Sequence, residues 1–295
     1  MTQSADPEQL RAHVEALEGV RHPRAAPIAL RAAEAYVAGA LAGSGLEVAL
    51  HPFTHAGRQH HNVVGRLRGS DPDRPRVLVG AHFDTVPGSP GADDNASGVA
   101  AMLEAARLTS GERLLADVEF VGFNLEEPQG YTYRVGSGRF ARDARAEGVR
   151  YAGALILEMV GYTDGGQGSQ SVPAVLFWKR VPRTGTFLAA TGHGGSRRLL
   201  RAFTRAARET VPDLEVVTFR SPLRGWLVYQ TRLSDNASFW DAGYPALMLS
   251  DTAFLRNPFY HTAGDVAGTL DYGFTAKVTD AVVAAVRRLA GDARP

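Results

Sequence analysis

Three short, predominantly apolar runs stand out between residues 77 and 158, and segments of helical periodicity separate them. The runs are VLVGAH, VEFVGF and GALILE, which begin at residues 77, 118 and 153. Short apolar runs without polar alternation are typical of strands that are covered on both faces. The segments 95–111 and 136–148 read as helices, the first of them entered at a polar cap. Strand, helix, strand, helix, strand predicts right-handed crossovers and a largely parallel sheet.

The flanking segments extend this pattern. Residues 7–44 show recurring apolar positions and a glycine stop, so we expect them to be helical. LEVALHPF and HHNVVGRLRG alternate like the two strands of a hairpin. Towards the C-terminus the same criteria predict, in order, a helix (196–211), a strand (214–219), a short helix (236–243), a strand (244–251) and a closing helix (273–292).

Between residues 162 and 195 the periodicity gives way to Gly, Ser and Pro, which predicts a loop-rich region that could cover a substrate. No linker, repeat or low-complexity segment divides the chain, so we expect a single domain over residues 1–295. The predicted fold class is α/β, a three-layer sandwich around a central mixed, largely parallel sheet.

Composition narrows the possible functions. Lys and Arg (32) balance Asp and Glu (31), which disfavours nucleic acid or an anionic membrane as a partner. The absence of cysteine excludes thiol catalysis and thiolate metal sites, so any metal must be held by His and carboxylates. No signal peptide or membrane-spanning run is visible, so we expect a soluble cytoplasmic protein. The oligomeric state has no signature in the sequence.

Imidazoles and carboxylates recur where the predicted strands end. The candidates are His82, Asp84, Asp94, Glu126, Glu127, Glu158 and His261. Each alone has a simpler explanation, such as a solvated loop, a helix cap (as for Asp93) or a hydrogen-bonded core histidine. Together they fall at the carboxyl edge of one inferred sheet, where ligands bind in open α/β folds. This set suits one or two divalent, zinc-like ions.

Glu158 is the candidate that most clearly requires a compensating group. It closes the apolar run GALIL, and a buried, unpaired carboxylate costs several kcal/mol or takes up a proton. By contrast, His60 and His61 lie inside a predicted strand and face opposite ways, so they are not expected to share a ligand role.

The motifs VLVGAHFDTVPGSPGADDNASGVAAMLEAA, VEFVGFNLEE, LEMVGY and LSDNASFWDAGYPALMLSDTAFLRNPFYHTAGDVAGTLDY resemble the zinc aminopeptidase family M28 from about residue 10 to 289, more loosely over 162–233. The resemblance implies a zinc-exopeptidase-like fold and two zinc ions bridged by Asp94. It pairs His82 with Glu158 on one ion and Glu127 with His261 on the other. It also implies that Asp84 orients His82, that Glu126 is the general base, and that Tyr260 helps to stabilise the oxyanion.

The implied reaction is hydrolysis of a peptide or small amide by a metal-activated water, most simply removal of N-terminal residues. The chain carries Glu158 where many relatives have aspartate, and Asn236 where relatives often have histidine. Three alternatives stay open: a single-zinc, glutaminyl cyclase-like acyl transfer enzyme, a non-catalytic binding protein on the same fold, and an amidase for a modified peptide. Carboxypeptidase or dipeptidase polarity also stays open. Apolar candidates for the pocket wall are Trp178, Trp226, Phe254 and Phe259.

Overall fold

The computed structural model describes residues 3–128, 132–173 and 180–291, which form a mixed eight-stranded sheet with helices on both faces. The strands are β1 (Glu47–His55), β2 (Arg58–Leu67), β3 (Arg76–His82), β4 (Val118–Phe123), β5 (Tyr151–Glu158), β6 (Leu188–His193), β7 (Val216–Ser221) and β8 (Ala246–Ser250). The helices are α1 (Pro7–Leu17), α2 (Pro27–Gly43), α3 (Gly98–Thr109), α4 (Val135–Ala146), α5 (Arg197–Thr210), α6 (Asn236–Asp241) and α7 (Tyr272–Ala290).

The strands lie in the order β1-β2-β4-β3-β5-β8-β6-β7. Strands β4, β3, β5 and β8 run parallel to one another, and so do β6 and β7. The pairs β1–β2, β2–β4 and β8–β6 are antiparallel. The predicted mixed, largely parallel sheet is therefore confirmed. Since parallel strands end at the same edge, the carboxyl ends of β3, β4, β5 and β8 meet there.

Two apolar cores lie on opposite faces of the sheet and explain why the central strands are continuously apolar. Val79 on β3 and Leu157 on β5 face the core that contains α1, α2, α3, α5 and α7. Leu78 and Ile156, their sequence neighbours, face the core formed with α4 and α6. Because successive residues of a strand point to opposite faces, both sets must be apolar. This arrangement confirms the predicted three-layer sandwich.

The predicted hairpin and the predicted helices and strands from residue 76 to 158 are present, but two regions differ. The N-terminal helical region is interrupted: α1 ends at Leu17 and α2 begins at Pro27. Gly19 between them has φ +135°, a backbone conformation that ends a helix.

The loop prediction for residues 162–195 is wrong for residues 188–193, which form β6 between β8 and β7. The sequence LAATGH has little β propensity, and pairing with both neighbours decides its conformation. Trp178 lies outside the described residues, and the lid and the single domain stay predictions. In the described part of the chain, no helix has both the length and the apolar character needed to cross a bilayer.

Candidate metal centre

The predicted ligands converge at the carboxyl edge of the sheet. His82 is the last residue of β3, and Glu158 is the last residue of β5. Glu126 and Glu127 follow β4 in the next loop, and His261 lies beyond β8. The parallel arrangement of these strands therefore brings together side chains that are up to 179 positions apart (261 − 82) in the sequence.

Three residues at this edge adopt left-handed backbone conformations, which non-glycine residues rarely do. They are Leu125 (φ 57°), Met159 (φ 49°) and His261 (φ 59°). Each is itself a predicted ligand or directly adjoins a predicted site residue. Hydrogen bonds hold two of the turns, because Asn95 Oδ1 accepts from the Met159 N–H (3.0 Å) and the Leu125 carbonyl accepts from the Val135 N–H (2.8 Å). Backbone strain of this kind concentrates at functional sites, where the surrounding structure must hold it.

Two clusters of three ligand atoms share Asp94. In the first, His82 Nε2 lies 3.4 Å from Asp94 Oδ1 and 3.5 Å from Glu158 Oε2. In the second, His261 Nε2 lies 3.1 Å from Asp94 Oδ2 and 3.3 Å from Glu127 Oε1. One carboxylate thus offers one oxygen to each cluster. The structure brings together all five predicted ligands, in the pairs that the resemblance implies.

The spacing and chemistry of both clusters fit zinc. Ligand atoms about 2.0–2.2 Å from a tetrahedral zinc ion lie about 3.3–3.6 Å from one another. Three of the four separations (3.3, 3.4 and 3.5 Å) lie in that range, and the His261–Asp94 separation of 3.1 Å is slightly shorter. His261 Nε2 is buried and has no well-aligned hydrogen bond, although two carboxylate oxygens lie close to it. An imidazole nitrogen in that position is ready to coordinate a cation, and three nitrogen and oxygen ligands leave room for a reacting molecule.

Asp84 connects the histidine ligand to the loop after β4. Its main-chain carbonyl accepts a hydrogen bond from His82 Nδ1 at 3.2 Å, whereas its carboxylate is 3.6 Å from that nitrogen. A carbonyl oxygen can only accept, so Nδ1 carries a proton, and in its neutral form the imidazole presents the Nε2 lone pair to the first cluster. The carboxylate instead accepts the main-chain N–H groups of Glu126 (3.0 Å) and Glu127 (3.1 Å). Asp84 therefore positions both glutamates as well as His82.

The main chain at Asp94 is positioned by Asp265, a residue that the sequence analysis did not single out. The Asp265 carboxylate accepts the N–H groups of Asp93 (2.7 Å) and Asp94 (3.1 Å). The Asp94–Asn95 peptide bond is cis. Asp265 lies inside the last quoted motif, but nothing in its local sequence shows which main-chain groups it contacts.

Asp93 does not cap a helix, as its position before the predicted helix had suggested. It is buried, and its carboxylate accepts hydrogen bonds from the Ser97 hydroxyl (3.0 Å), the Gly161 N–H (3.0 Å) and Asn257 Nδ2 (2.7 Å). These bonds join the turn before α3 to the loop after β5 and to the loop before His261. Asp93 is thus a structural link between three segments that carry candidate ligands.

Arg21 is a second residue that sequence reasoning missed. Its buried guanidinium donates to the carbonyl oxygens of Phe83 (2.7 Å) and Gly91 (2.9 Å), among other main-chain carbonyls. Burial lowers the pKa of Arg21 to about 10, although the nearby carboxylates, Asp84 foremost, oppose this. Arg21 braces both ends of the loop that connects His82 to Asp94.

Interactions among the candidate ligands shift their pKa values strongly. The carboxylates around His82, with Glu158 foremost, outweigh its burial and raise the pKa of this imidazole well above its usual value. Asp94 and Glu127 likewise outweigh the burial of His261 and raise its pKa to about 10. Asp94 is buried, yet hydrogen bonds from His261 and His82 hold its pKa well below the usual range. Burial and the charge of Asp94 raise the pKa of Glu127 to about 8. His82, His261 and Glu127 therefore hold protons that a bound cation would displace, whereas Asp94 is already ionised.

Glu126 and Asp235 are buried acids beside the ligands. Burial raises the pKa of Glu126 well above its usual value, and the charges of Asp235 and Glu127 contribute. Burial also raises the pKa of Asp235 to about 7. Neither oxygen of Asp235 has a hydrogen bond of good geometry, although Ser137 lies close enough to lower its pKa somewhat. A base with an elevated pKa suits proton transfer near neutral pH.

The two departures from the resemblance have different consequences. Glu158 reaches the first cluster despite its extra methylene, and its Oε2 accepts a hydrogen bond from the Ser234 hydroxyl at 2.6 Å. Asn236 points elsewhere, because its Nδ2 donates to the Thr231 carbonyl at 3.0 Å. Ser234 and Asp235 both lie in the quoted motif LSDNASFW, so the resemblance was the one signal that could have drawn attention to them.

An apolar cavity of about 130 Å³ opens beside Glu158 and Tyr260. Its floor consists of side chains from β6, β7 and β8, namely Ala189, Thr191, Val217, Phe219 and Met248. The Tyr260 ring stacks on the His261 ring at 3.7 Å, and burial raises the pKa of its hydroxyl, which therefore stays neutral. Of the apolar candidates for the wall, Phe254 lines the cavity, whereas Trp226 and Phe259 do not.

Comparison with known proteins agrees with this geometry. The sequence profile of peptidase family M28 matches residues 62–286. The chain is 33% identical to the uncharacterized protein YfbL of Escherichia coli K12 over 290 residues, which cover 95% of this chain and 87% of YfbL.

Solved structures share the fold. An aminopeptidase from Aneurinibacillus sp. strain AM-1 superposes with a TM-score of 0.76 at 17% identity, covering 99% of this chain and 96% of that protein. The glutaminyl cyclase of Bacteroides thetaiotaomicron superposes with a TM-score of 0.72 at 20% identity, covering 97% of this chain and 99% of the cyclase.

Proposed function

Since the chain belongs to peptidase family M28 and is a zinc metallopeptidase, we propose that it is an aminopeptidase that works with two zinc ions. The observation that carries the proposal is the pair of ligand clusters that share Asp94, with the buried acid Glu126 beside them. His82, Asp94 and Glu158 would hold one ion, and Asp94, Glu127 and His261 the other.

Bound zinc would supply Lewis acidity, which makes a water acidic and polarises the peptide carbonyl. Glu126 would take a proton from the attacking water, because it is a buried carboxyl group beside the two clusters and is not itself one of the five ligands. The same carboxyl group would then return the proton to the leaving amine. Tyr260, whose hydroxyl stays neutral, would donate a hydrogen bond to the developing oxyanion.

Two features support removal of the N-terminal residue. The site is rich in carboxylates, which attract a free α-amino group and disfavour a substrate carboxylate at the same place. The cavity beside Glu158 is apolar, and its volume of about 130 Å³ is close to that of an apolar cavity known to accept a benzene molecule. We therefore expect N-terminal residues with large uncharged side chains to be the best substrates.

The test is a screen of aminoacyl-arylamides and short peptides, with zinc, cobalt or manganese restored after chelation. We expect metal-dependent release of N-terminal Leu or Phe, and little release of N-terminal Asp. N-acetylated versions of the same peptides are the control, because they lack the α-amino group. Hydrolysis of the acetylated peptides at the same rate, or release of C-terminal residues, would contradict the aminopeptidase assignment.

A glutaminyl cyclase-like activity is the second candidate, because a cyclase shares the fold at a TM-score of 0.72. That reading invokes one zinc ion and intramolecular attack by the substrate amine. Metal analysis of the active protein and assays with N-terminal Gln peptides distinguish the two. One zinc per chain together with cyclisation would favour the cyclase, whereas two zinc ions with hydrolysis would favour the aminopeptidase.

A further inference from the structure

Exposed apolar side chains are concentrated beside the candidate metal centre. Trp226 and Leu227 are 64% and 62% exposed, far more than large apolar side chains usually are. We call the surface that they form with their neighbours the aromatic rim: Tyr133, Leu223, Trp226, Leu227, Tyr229 and Leu233. In the described ranges, the other exposed large apolar side chains are Phe254 at the cavity, Ile28 and Leu50. Such clustering marks a binding surface more often than single exposed residues do.

One end of the aromatic rim is attached to the loop that carries Glu126. The Arg134 N–H donates to the main-chain carbonyl of Glu126 at 2.7 Å. Tyr133, its neighbour, makes a hydroxyl–hydroxyl hydrogen bond with Tyr229, and the Arg134 guanidinium lies 4.6 Å from the Tyr133 ring centroid. The aromatic rim therefore begins within one main-chain hydrogen bond of the proposed general base.

The other end is attached to the first cluster. Leu233 immediately precedes Ser234, whose hydroxyl donates to Glu158 Oε2 at 2.6 Å. Arg232 lies 4.2 Å from the Trp226 ring centroid, and its Nη2 donates to Asp241 at 2.6 Å. These contacts fix Trp226 next to the segment that supports a ligand.

The turn that presents Trp226 is strained. Leu223 and Arg224 have φ values of 47° and 54°, a left-handed conformation that non-glycine residues rarely adopt. The result is an apolar surface that is held in water rather than folded into the core. Both the strain and the exposure suit a surface that an apolar ligand covers during function.

The position of the aromatic rim decides which ligand covers it. In peptide hydrolysis the general base returns its proton to the leaving amine, so the leaving peptide lies on the side of Glu126. The cavity beside Glu158 and Tyr260 takes the N-terminal side chain. We propose that the aromatic rim binds the residues that follow the cleaved bond, and that it favours peptides with an aromatic or large apolar second residue. This inference rests on the proposed aminopeptidase function.

The test measures selectivity for the second residue. The substrates are the peptides Leu-Xaa-Gly with Phe, Trp, Ala or Asp as Xaa, and released leucine is quantified by chromatography. We expect kcat/KM to be about tenfold higher for Phe and Trp than for Ala, a ratio typical of apolar contacts in a specificity pocket, with the difference in KM. Asp should be the poorest substrate.

The double variant Trp226→Ala/Leu227→Ala should bring the Phe-to-Ala ratio close to one. Leu50→Ala is the matched control, because Leu50 is 48% exposed on β1 at the far edge of the sheet, and it should preserve the ratio. Both variants alter exposed side chains, so their unfolding midpoints should match the wild-type value. A direct binding measurement is calorimetric titration of zinc-loaded Glu126→Gln with Leu-Phe-Gly and Leu-Ala-Gly, where Phe should bind about tenfold more tightly.

The outcomes separate this inference from the proposed function. Hydrolysis with equal kcat/KM for all second residues, or a ratio unchanged by the double variant, would overturn the role of the aromatic rim alone. A concentration-dependent dimer that the double variant dissociates, without any change in the ratio, would make the rim a contact between copies instead. If no peptide is hydrolysed, the proposed function fails, and equal binding of both peptides to zinc-loaded protein would overturn the rim as well.

Discussion

The two ends of the central sheet both bury carboxylates, but they compensate them differently. At the amino end of β4, Glu119 is 1% exposed, and its Oε1 accepts from Arg66 (2.7 Å) and Arg76 (2.8 Å). Its other oxygen accepts from the Tyr151 hydroxyl at 2.5 Å. Every oxygen of this carboxylate has a donor, and two permanent cations neutralise its charge.

At the carboxyl end of the same strands, histidines face the buried carboxylates in place of arginines. Within the described ranges, the ion pairs of Asp94 and Glu158 involve His82 and His261 and no Arg or Lys. Arg21, a buried cation nearby, donates its hydrogen bonds to main-chain carbonyls. The comparison shows that the chain neutralises a buried carboxylate with its own arginines at Glu119 and places histidines instead beside Asp94 and Glu158. A missing arginine is thus as informative about a metal site as the ligands that are present.

Glu126→Gln should have the largest effect at the carboxyl end. The amide cannot accept the proton of the attacking water, so we expect kcat to fall by about 10²- to 10⁴-fold. Zinc content and the free energy of unfolding should stay near wild-type values, because Glu126 is not one of the five ligands. Glu147→Gln, an exposed position after α4, is the control. Near-wild-type hydrolysis by Glu126→Gln would rule out its role as the base.

At the amino end, the double variant Arg66→Met/Arg76→Met should act on stability alone. It leaves Glu119 buried without its cations, which costs about 3–5 kcal/mol when one side of a buried ion pair is removed. Urea unfolding measures the loss, and zinc titration and kcat/KM at a temperature where the variant is folded should be unchanged. A large change in zinc affinity would show that the two ends are coupled, against this comparison.

The metal-free protein should lose stability as the pH rises. The pKa of Glu127 is about 8 in the folded state, above the ordinary value of the unfolded chain, so between these values the folded state binds more protons. Stability is then fully present below the unfolded value and is lost as pH rises through 8. The raised pKa of His261 acts in the same direction at higher pH, and the lowered pKa of Asp94 opposes it only in strong acid.

We expect a decrease on the order of 2 kcal/mol between pH 5.5 and 8 in urea unfolding of chelated protein. Saturating zinc should reverse the slope, because metal binding favours deprotonated ligands. A metal-free protein that is more stable at pH 8 than at pH 5.5 would contradict the raised pKa of Glu127.

Of the four predictions in this comparison, the substitution Asp84→Asn should have the smallest effect, on metal affinity and on kcat. The asparagine side chain has one oxygen, so it can accept only one of the two main-chain N–H groups of Glu126 and Glu127. Its NH₂ group would face the other N–H, and that hydrogen bond would be lost. Loss of such a supporting contact typically costs about 10- to 100-fold in metal affinity or activity. Competition with a zinc chelator and kcat measure the two effects. An unchanged variant would show that the main-chain carbonyl of residue 84 suffices.

Sequence reasoning predicted the central sheet well because buried parallel strands carry a strong local signal. The runs that became β3, β4 and β5 are short and predominantly apolar on both faces, which favours buried strands. β6 was missed because Ala189, Thr191 and Gly192 have no such signal, and pairing between β8 and β7 alone makes that segment a strand.

The ligands could be named because each lies at or soon after the end of a recognisable strand or within a motif of the resemblance. The supporting residues could not. Arg21 acts through contacts with residues about 60 to 70 positions away, and Asp265 through main-chain groups about 170 positions away. Such contacts exist only in the folded chain, and nothing in the neighbouring sequence indicates them.

Asp84 has a consequence for how this site can evolve. Its carbonyl fixes the histidine ligand, while its carboxylate fixes both the neighbouring ligand Glu127 and the acid Glu126. A mutation here therefore alters several traits at once, and selection cannot improve one without disturbing the others. Descendants that change their chemistry should do so by replacing Glu126 itself or the surrounding loops, while Asp84 persists as the most constrained position that touches no substrate.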